Sequence, residues 1–193
     1  MGILENLAKK AIRQVGSDLT KQAVNAAQNT TRSVTFSSLP GSLAELQALP
    51  QADLKDPYNV AALSVLALTV YETSKDECFR MLDFLKGPED VTVREKQFIA
   101  DRLNGKQYVV NSYFKGAVPG NDYKPSVPYT ITVNSNPYSF QNEGWATLYL
   151  VSGGADSPRF IKLRQKPSTG QWFVNEIGYL GDIRLPVSKD AWA

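Results

Sequence analysis

Residues 57–71 read PYNVAALSVLALTVY. Past Asn59 only Ser64 and Thr69 interrupt the apolar run. Asp56 is a good N-cap, and Pro57 suits the first helical position, where a missing N–H is no loss. The stretch therefore predicts a helix over 57–73, and a helix apolar nearly all round must be buried on every side. The rest of the chain has to supply that cover.

Outward from this helix the start signals repeat. Ser42 with Glu45, Ser74 with Glu77 and Thr92 with Glu95 each have capping-box spacing, in which two side chains answer each other's orphan backbone N–H. The first opens a short helix that ends before Pro50. The second opens DECFRMLDFLKG, with Phe79, Leu82 and Leu85 facing the core and Gly87-Pro88 as the stop. The third opens a helix through Leu103 with Phe98 and Ile99 inside, closed by Asn104-Gly105.

From Tyr108 the pattern turns β-branched and aromatic, with Gly, Pro and Asn between short runs. YVVNSYF (108–114) reads as a strand, and 115–128 as a long loop rich in Pro and Gly. YTITVN (129–134) alternates. GWATLYLV (144–151) is apolar on both faces, which predicts a central strand covered on both sides. RFIKLRQK (159–166) and QWFVNEIGYL (171–180) form a hairpin through PSTG. Helices first and strands second predict an α+β fold, a helical half packed on an antiparallel sheet of about four or five strands.

Residues 2–29 predict a long amphipathic helix ahead of this domain. Leu4, Leu7, Ala11, Ile12, Val15 and Leu19 lie at three- and four-residue spacing, with Lys9, Lys10, Arg13 and Lys21 between them. Such a stripe packs on its own domain, a second copy, another protein or a membrane surface; the basic polar face permits the membrane, and the lack of Trp or Phe argues against it. Residues 29–33 read as a polar linker. This gives a helix and linker over 1–33 and a single α+β domain over 34–193.

Several motifs look familiar together. DLKDPYNVAAL, FLKGPEDVTVREKQFIADRL, SYFKGAVPGNDYKPSVPYTITVN, SGGADSPRFIKLRQK and the closing DAWA resemble a bacterial domain-of-unknown-function family across about 36–193. The resemblance implies a bacterial source and carries no assigned catalytic residue.

Composition excludes several chemistries. The 193-residue chain has no histidine and one cysteine, Cys78. That removes Ser-His-Asp and Cys-His catalysis, an ordinary structural zinc site and any intramolecular disulfide. No cofactor or metal is expected. A net charge of +2 does not suggest nucleic acid as a partner. No apolar run reaches the roughly 20 residues of a membrane span. The N-terminus lacks a signal-peptide centre, so a cytoplasmic, or membrane-peripheral, protein is expected.

The candidate sites are few. SGGADSPR (152–159) could cradle an anion, but strands flank it and no helix follows to add its dipole. It reads better as a strand connection, with Gly153 and Gly154 at φ > 0. Lys162, Arg164 and Lys166 make a basic stripe with Phe160, usually a solvated sheet face. A ligand pocket would be rimmed by loops 115–128 and 152–159, with Asp156, Arg159, Tyr113, Lys115, Tyr123 and Lys124 as its candidate residues. Cys78 reads as a small buried hydrophobe.

Two functions fit. The first is a non-enzymatic binding or adaptor module tethered by its N-terminal helix. The second is a small-ligand-binding or histidine-independent enzyme domain using that pocket. Missing catalytic motifs favour the first. Deleting residues 1–33 is expected to leave the domain folded and to change its oligomeric state or localisation. Unchanged elution and unchanged localisation would refute the tether.

Overall fold

The computed structural model describes residues 29–192. In chain order these form β1 (Thr31–Phe36), α1 (Leu43–Gln47), α2 (Pro57–Thr69), α3 (Lys75–Lys86), α4 (Val93–Leu103), α5 (Tyr108–Asn111), β2 (Tyr129–Asn134), β3 (Trp145–Leu150), β4 (Arg159–Lys166) and β5 (Gln171–Ile177). The fold is α+β. The predicted helix over 2–29 and its stripe lie outside the described residues.

Helix α2 is buried without a break from Val60 to Leu68. Asp56 caps it by accepting from the Tyr58 N–H at 2.9 Å. It ends at Thr69, with turns rather than helix to 73. The five strands form one antiparallel meander in the order β1-β2-β3-β4-β5. Helix α2 lies across it and touches every strand. Phe36, Ile131, Leu148, Leu150, Ile161, Leu163 and Val174 meet the helix from the sheet, and Met81, Leu82 and Leu85 meet it from α3.

The other face of the sheet has no helix among the described residues. β3 alternates, with Ala146, Leu148 and Leu150 buried while Trp145 is exposed and Thr147 and Tyr149 are half-buried. This corrects the expectation of a strand covered on both sides. Cations instead lie over aromatic rings on this outer face. Arg164 lies over the Trp145 ring at 5.3 Å and Lys162 over Phe160 at 5.4 Å.

Two further expectations are corrected. Residues 31–33 are not linker: they begin β1, which pairs with β2 from Thr31↔Asn134 to Phe36↔Tyr129. Their polar side chains suit an edge strand open to water on one face, so composition alone disguised them. A truncation that spares the fold must therefore stop at residue 28. Residues 108–114 are not a strand. They make the short α5 and a turn, and only Phe114 reaches the sheet, bridging Ile131. Tyr108, Val109 and Val110 pack inward here, so tertiary contacts override their β propensity.

The capping signals mark helix starts, yet one box in three closes. Thr92 and Glu95 exchange both bonds. Ser42 and Ser74 each accept their N3 N–H, but Glu45 accepts from Gly41 and Glu77 from the Leu43 N–H at 2.8 Å. Glu77 thus satisfies the start of α1 from the start of α3. The Leu43 bond and Arg80 outweigh burial and lower the Glu77 carboxyl below its ordinary range.

Ser64 is the polar residue inside the fully buried run of α2. Its hydroxyl donates to the Ala61 carbonyl at 2.7 Å, so the Tyr179 hydroxyl, 2.9 Å away, donates to Ser64 Oγ. Ser64→Ala leaves the fully buried Tyr179 phenol without an acceptor and is expected to cost about 1–3 kcal/mol. Tyr179→Phe leaves Ser64 its carbonyl and costs about 1 kcal/mol or less. Urea unfolding of both variants checks the order; a Tyr179→Phe loss as large as that of Ser64→Ala refutes it.

Candidate functional site: a cleft beside the edge strand

The residues expected to rim a pocket are mostly engaged with other partners or exposed. Tyr113 is buried and its hydroxyl donates to the Tyr179 carbonyl. Burial pushes that phenol well up, only partly offset by Arg159. Tyr123 is also buried, donating to the Arg184 carbonyl at 2.7 Å and stacking on Tyr108. Lys115 and Lys124 are exposed. Asp156 is exposed and pairs with Arg184, not Arg159. Arg159 donates to the Asp182 carbonyl at 3.1 Å and to Ser157 Oγ at 3.4 Å, with its Nε buried and unpartnered.

The loop glycines explain this closure. Neither Gly153 nor Gly154 has positive φ, contrary to expectation. They are needed for close approach. A methyl on Gly153 would collide with the Ala117 carbonyl, and one on Gly154 with the Tyr123 hydroxyl. The Gly153 N–H donates to the Ser112 carbonyl at 2.8 Å, and the Gly154 carbonyl accepts from Arg184 at 2.9 Å. Residues 152–154 are thus a packed connection between β3 and β4, wedged between loop 115–128 and the C-terminal segment. Cys78 is buried as expected, and burial pushes its thiol up to about 12.

An open concavity lies elsewhere, along β5. This strand is an edge of the sheet. Helix α3 packs beside it and ends at Gly87, whose φ of 77° suits glycine and whose missing side chain admits the Phe173 ring. Asp83 then accepts from the Val91 N–H at 2.7 Å and closes the turn into α4. Helix α4 buries Ile99 and Leu103 but leaves Phe98 38% exposed, correcting its expected inward placement. Between α3, α4 and β5 runs a cleft of two adjoining lobes, about 390 and about 420 Å³. Leu82, Val91, Ile99 and Val174 give the first lobe an apolar floor, with Phe98 and Arg94 on its wall. The second lobe is lined by Phe173, Arg164 and Lys166.

Lys86, Glu95, Val174 and Asn175 border both lobes. Lys86 and Glu95 are 2.6 Å apart, with side chains 10% and 36% exposed. Burial alone raises the Glu95 carboxyl, but hydrogen bonds from Lys86 and Thr92 outweigh it and lower the group. Asn175 occupies an irregularity in the sheet: Leu163 pairs with Val174 and Lys162 with Glu176, so Asn175 has no opposite number on β4. Bulges of this kind often re-aim side chains near binding sites.

Residues 38–187, most of the chain, match the family described as Domain of unknown function (DUF6935). The chain belongs to that family. No curated protein and no solved structure matches it significantly. The cleft of this DUF6935 domain is built wholly from residues inside the matched range. Sequence reasoning singled out Arg164 and Lys166 but missed Lys86, Arg94, Glu95, Phe98 and Asn175. The usable signal was Phe98 with Arg102 four residues on, an aromatic–cation pair that belongs on a solvent-facing helix stripe.

The lowered Glu95 carboxyl sets a pH dependence. A depressed folded value means that stability is present above the ordinary value of 4.5 and is lost as pH falls through the folded value. Glu95→Gln in the DUF6935 domain is expected to cost about 1 kcal/mol at pH 7, solvent screening included. The gap from the unmodified chain should narrow as pH falls below the ordinary value and through the lowered folded one. Denaturant titrations at pH 7 and pH 3 check this; a gap that widens at low pH refutes it.

Proposed function

We propose that this protein is a non-enzymatic binding module whose recognition surface is the cleft beside β5. Its N-terminal segment acts as a tether to a partner, a second copy or a membrane surface. The observation that carries the reading is an apolar-floored cleft beside a sheet edge that no further strand pairs among the described residues, with Phe98 exposed on its wall. Exposed apolar surface with a charged rim is the usual composition of a protein-recognition site.

The chemistry of the groups points the same way. Glu95 is lowered by Lys86 and Thr92, the opposite of what a general acid at neutral pH needs. The Cys78 thiol is raised and buried, the opposite of a nucleophile. Among the described residues no group of His, Cys, Asp or Glu could hold a metal ion. No helix there is long and apolar enough to cross a membrane. A cytoplasmic site in a bacterium fits the lone, buried cysteine.

A random peptide library displayed on phage tests the reading. The full chain is expected to enrich peptides that lose at least about tenfold in binding to the Phe98→Asp variant, the expected scale for a charge placed in an apolar contact. The variant should keep its melting temperature, because Phe98 lies outside the core. Failure to enrich any peptide, or enriched peptides indifferent to Phe98→Asp, refutes the cleft as the recognition surface.

A further inference from the structure

We propose that the cleft takes an extended acidic segment of a partner protein, which pairs with β5 as a sixth strand. This rests on the binding-module reading and adds the conformation and charge of the occupant.

The first observation is the state of the edge. A sheet edge presents a row of unpaired N–H and C=O groups, and extended peptides bind by completing that row. At the start of β5 the position is taken, because the Trp172 N–H donates to the Leu54 carbonyl at 2.7 Å. Beyond it, Phe173 to Ile177 border the cleft rather than another strand. Five residues of strand span about 16 Å, room for a segment of five or six extended residues. Asn175, unmatched on β4, stands at the middle of this span and borders both lobes.

The second observation is the charge left over. Lys86 is engaged by Glu95, and Lys162 is engaged by Glu176 at 2.7 Å. Around the two lobes Arg94, Arg164 and Lys166 remain without an ion-pair partner among the described residues, against Glu89 alone of opposite sign. A strand directs alternate side chains to opposite faces. An added strand would lay one set on the apolar floor and point the other towards Arg164 and Lys166 on the open face. The occupant is therefore a segment in which apolar and acidic residues alternate.

A fluorescein-labelled eight-residue peptide alternating valine and glutamate, titrated against the full chain by anisotropy, tests this. It is expected to bind at least about tenfold tighter than the same peptide with lysine for glutamate. The preference should reverse in the Arg164→Glu, Lys166→Glu double variant, whose changes are both on exposed side chains. N-methylation of alternate peptide amides should abolish binding without touching the protein, because strand pairing depends on those N–H groups. Equal binding of the glutamate and lysine peptides overturns the acidic occupant, and binding indifferent to N-methylation overturns the added strand. In both cases a peptide selection sensitive to Phe98→Asp would leave the binding-module reading standing. Absence of any such selection would remove that reading as well.

Discussion

Everything in this domain is arranged around the requirement that α2 touch no water. A helix with Val60 to Leu68 buried has no face to spare. The sheet covers one side, and α3 with the shorter helices covers the rest. Burial of each large apolar side chain is worth about 1.5–3 kcal/mol. The one hydroxyl inside this run is tolerated because one acceptor, the Ala61 carbonyl, and one donor, the Tyr179 hydroxyl, are held against it. The polar group within this run is thus satisfied by a single short chain of bonds.

The same requirement shapes the cleft. Helix α3 is drawn inwards by Cys78, Met81, Leu82 and Leu85. Helix α4 has only Ile99 and Leu103 buried, so it is held less deeply and stands off from β5. The gap between them is bridged by an ion pair rather than filled by an apolar side chain. Lys86 can lie 10% exposed there because Glu95 answers its charge and the capping box orients Glu95 in turn. The cleft is therefore held open by a charged pair anchored to a helix terminus.

Much of the architecture was legible from local chemistry. Asp56-Pro57, the serine and threonine caps, Gly87-Pro88 and the PSTG turn each act within a few residues, and each marks the boundary it should. What misled was anything decided across the fold. Thr31-Arg32-Ser33 looks like linker until β2 is placed beside it. Tyr108-Val109-Val110 looks like strand until a hydrophobic pocket receives it. The outer side chains of β3 look buried because Trp145 and Tyr149 are large and aromatic, yet the strand leaves Trp145 exposed and Tyr149 half-buried. The expected site residues were hard to read for the same reason: Tyr113 and Tyr123 direct their hydroxyls to distant carbonyls. The cleft residues come from four separate elements, and no spacing in the chain joins them.

The meander itself has an uneven history. From β2 to β5 each strand follows its neighbour closely, the last two joined by a four-residue turn. β1 is the exception, because residues 37–128 separate it from β2. Closing so long a loop costs about 3 kcal/mol more chain entropy than closing the short hairpin. The β1–β2 ladder is the long-range pairing in an otherwise local sheet, and all the helices lie between its two ends in the chain. The N-terminal segment is thus joined to the strand whose place in the sheet carries the largest loop-closure cost.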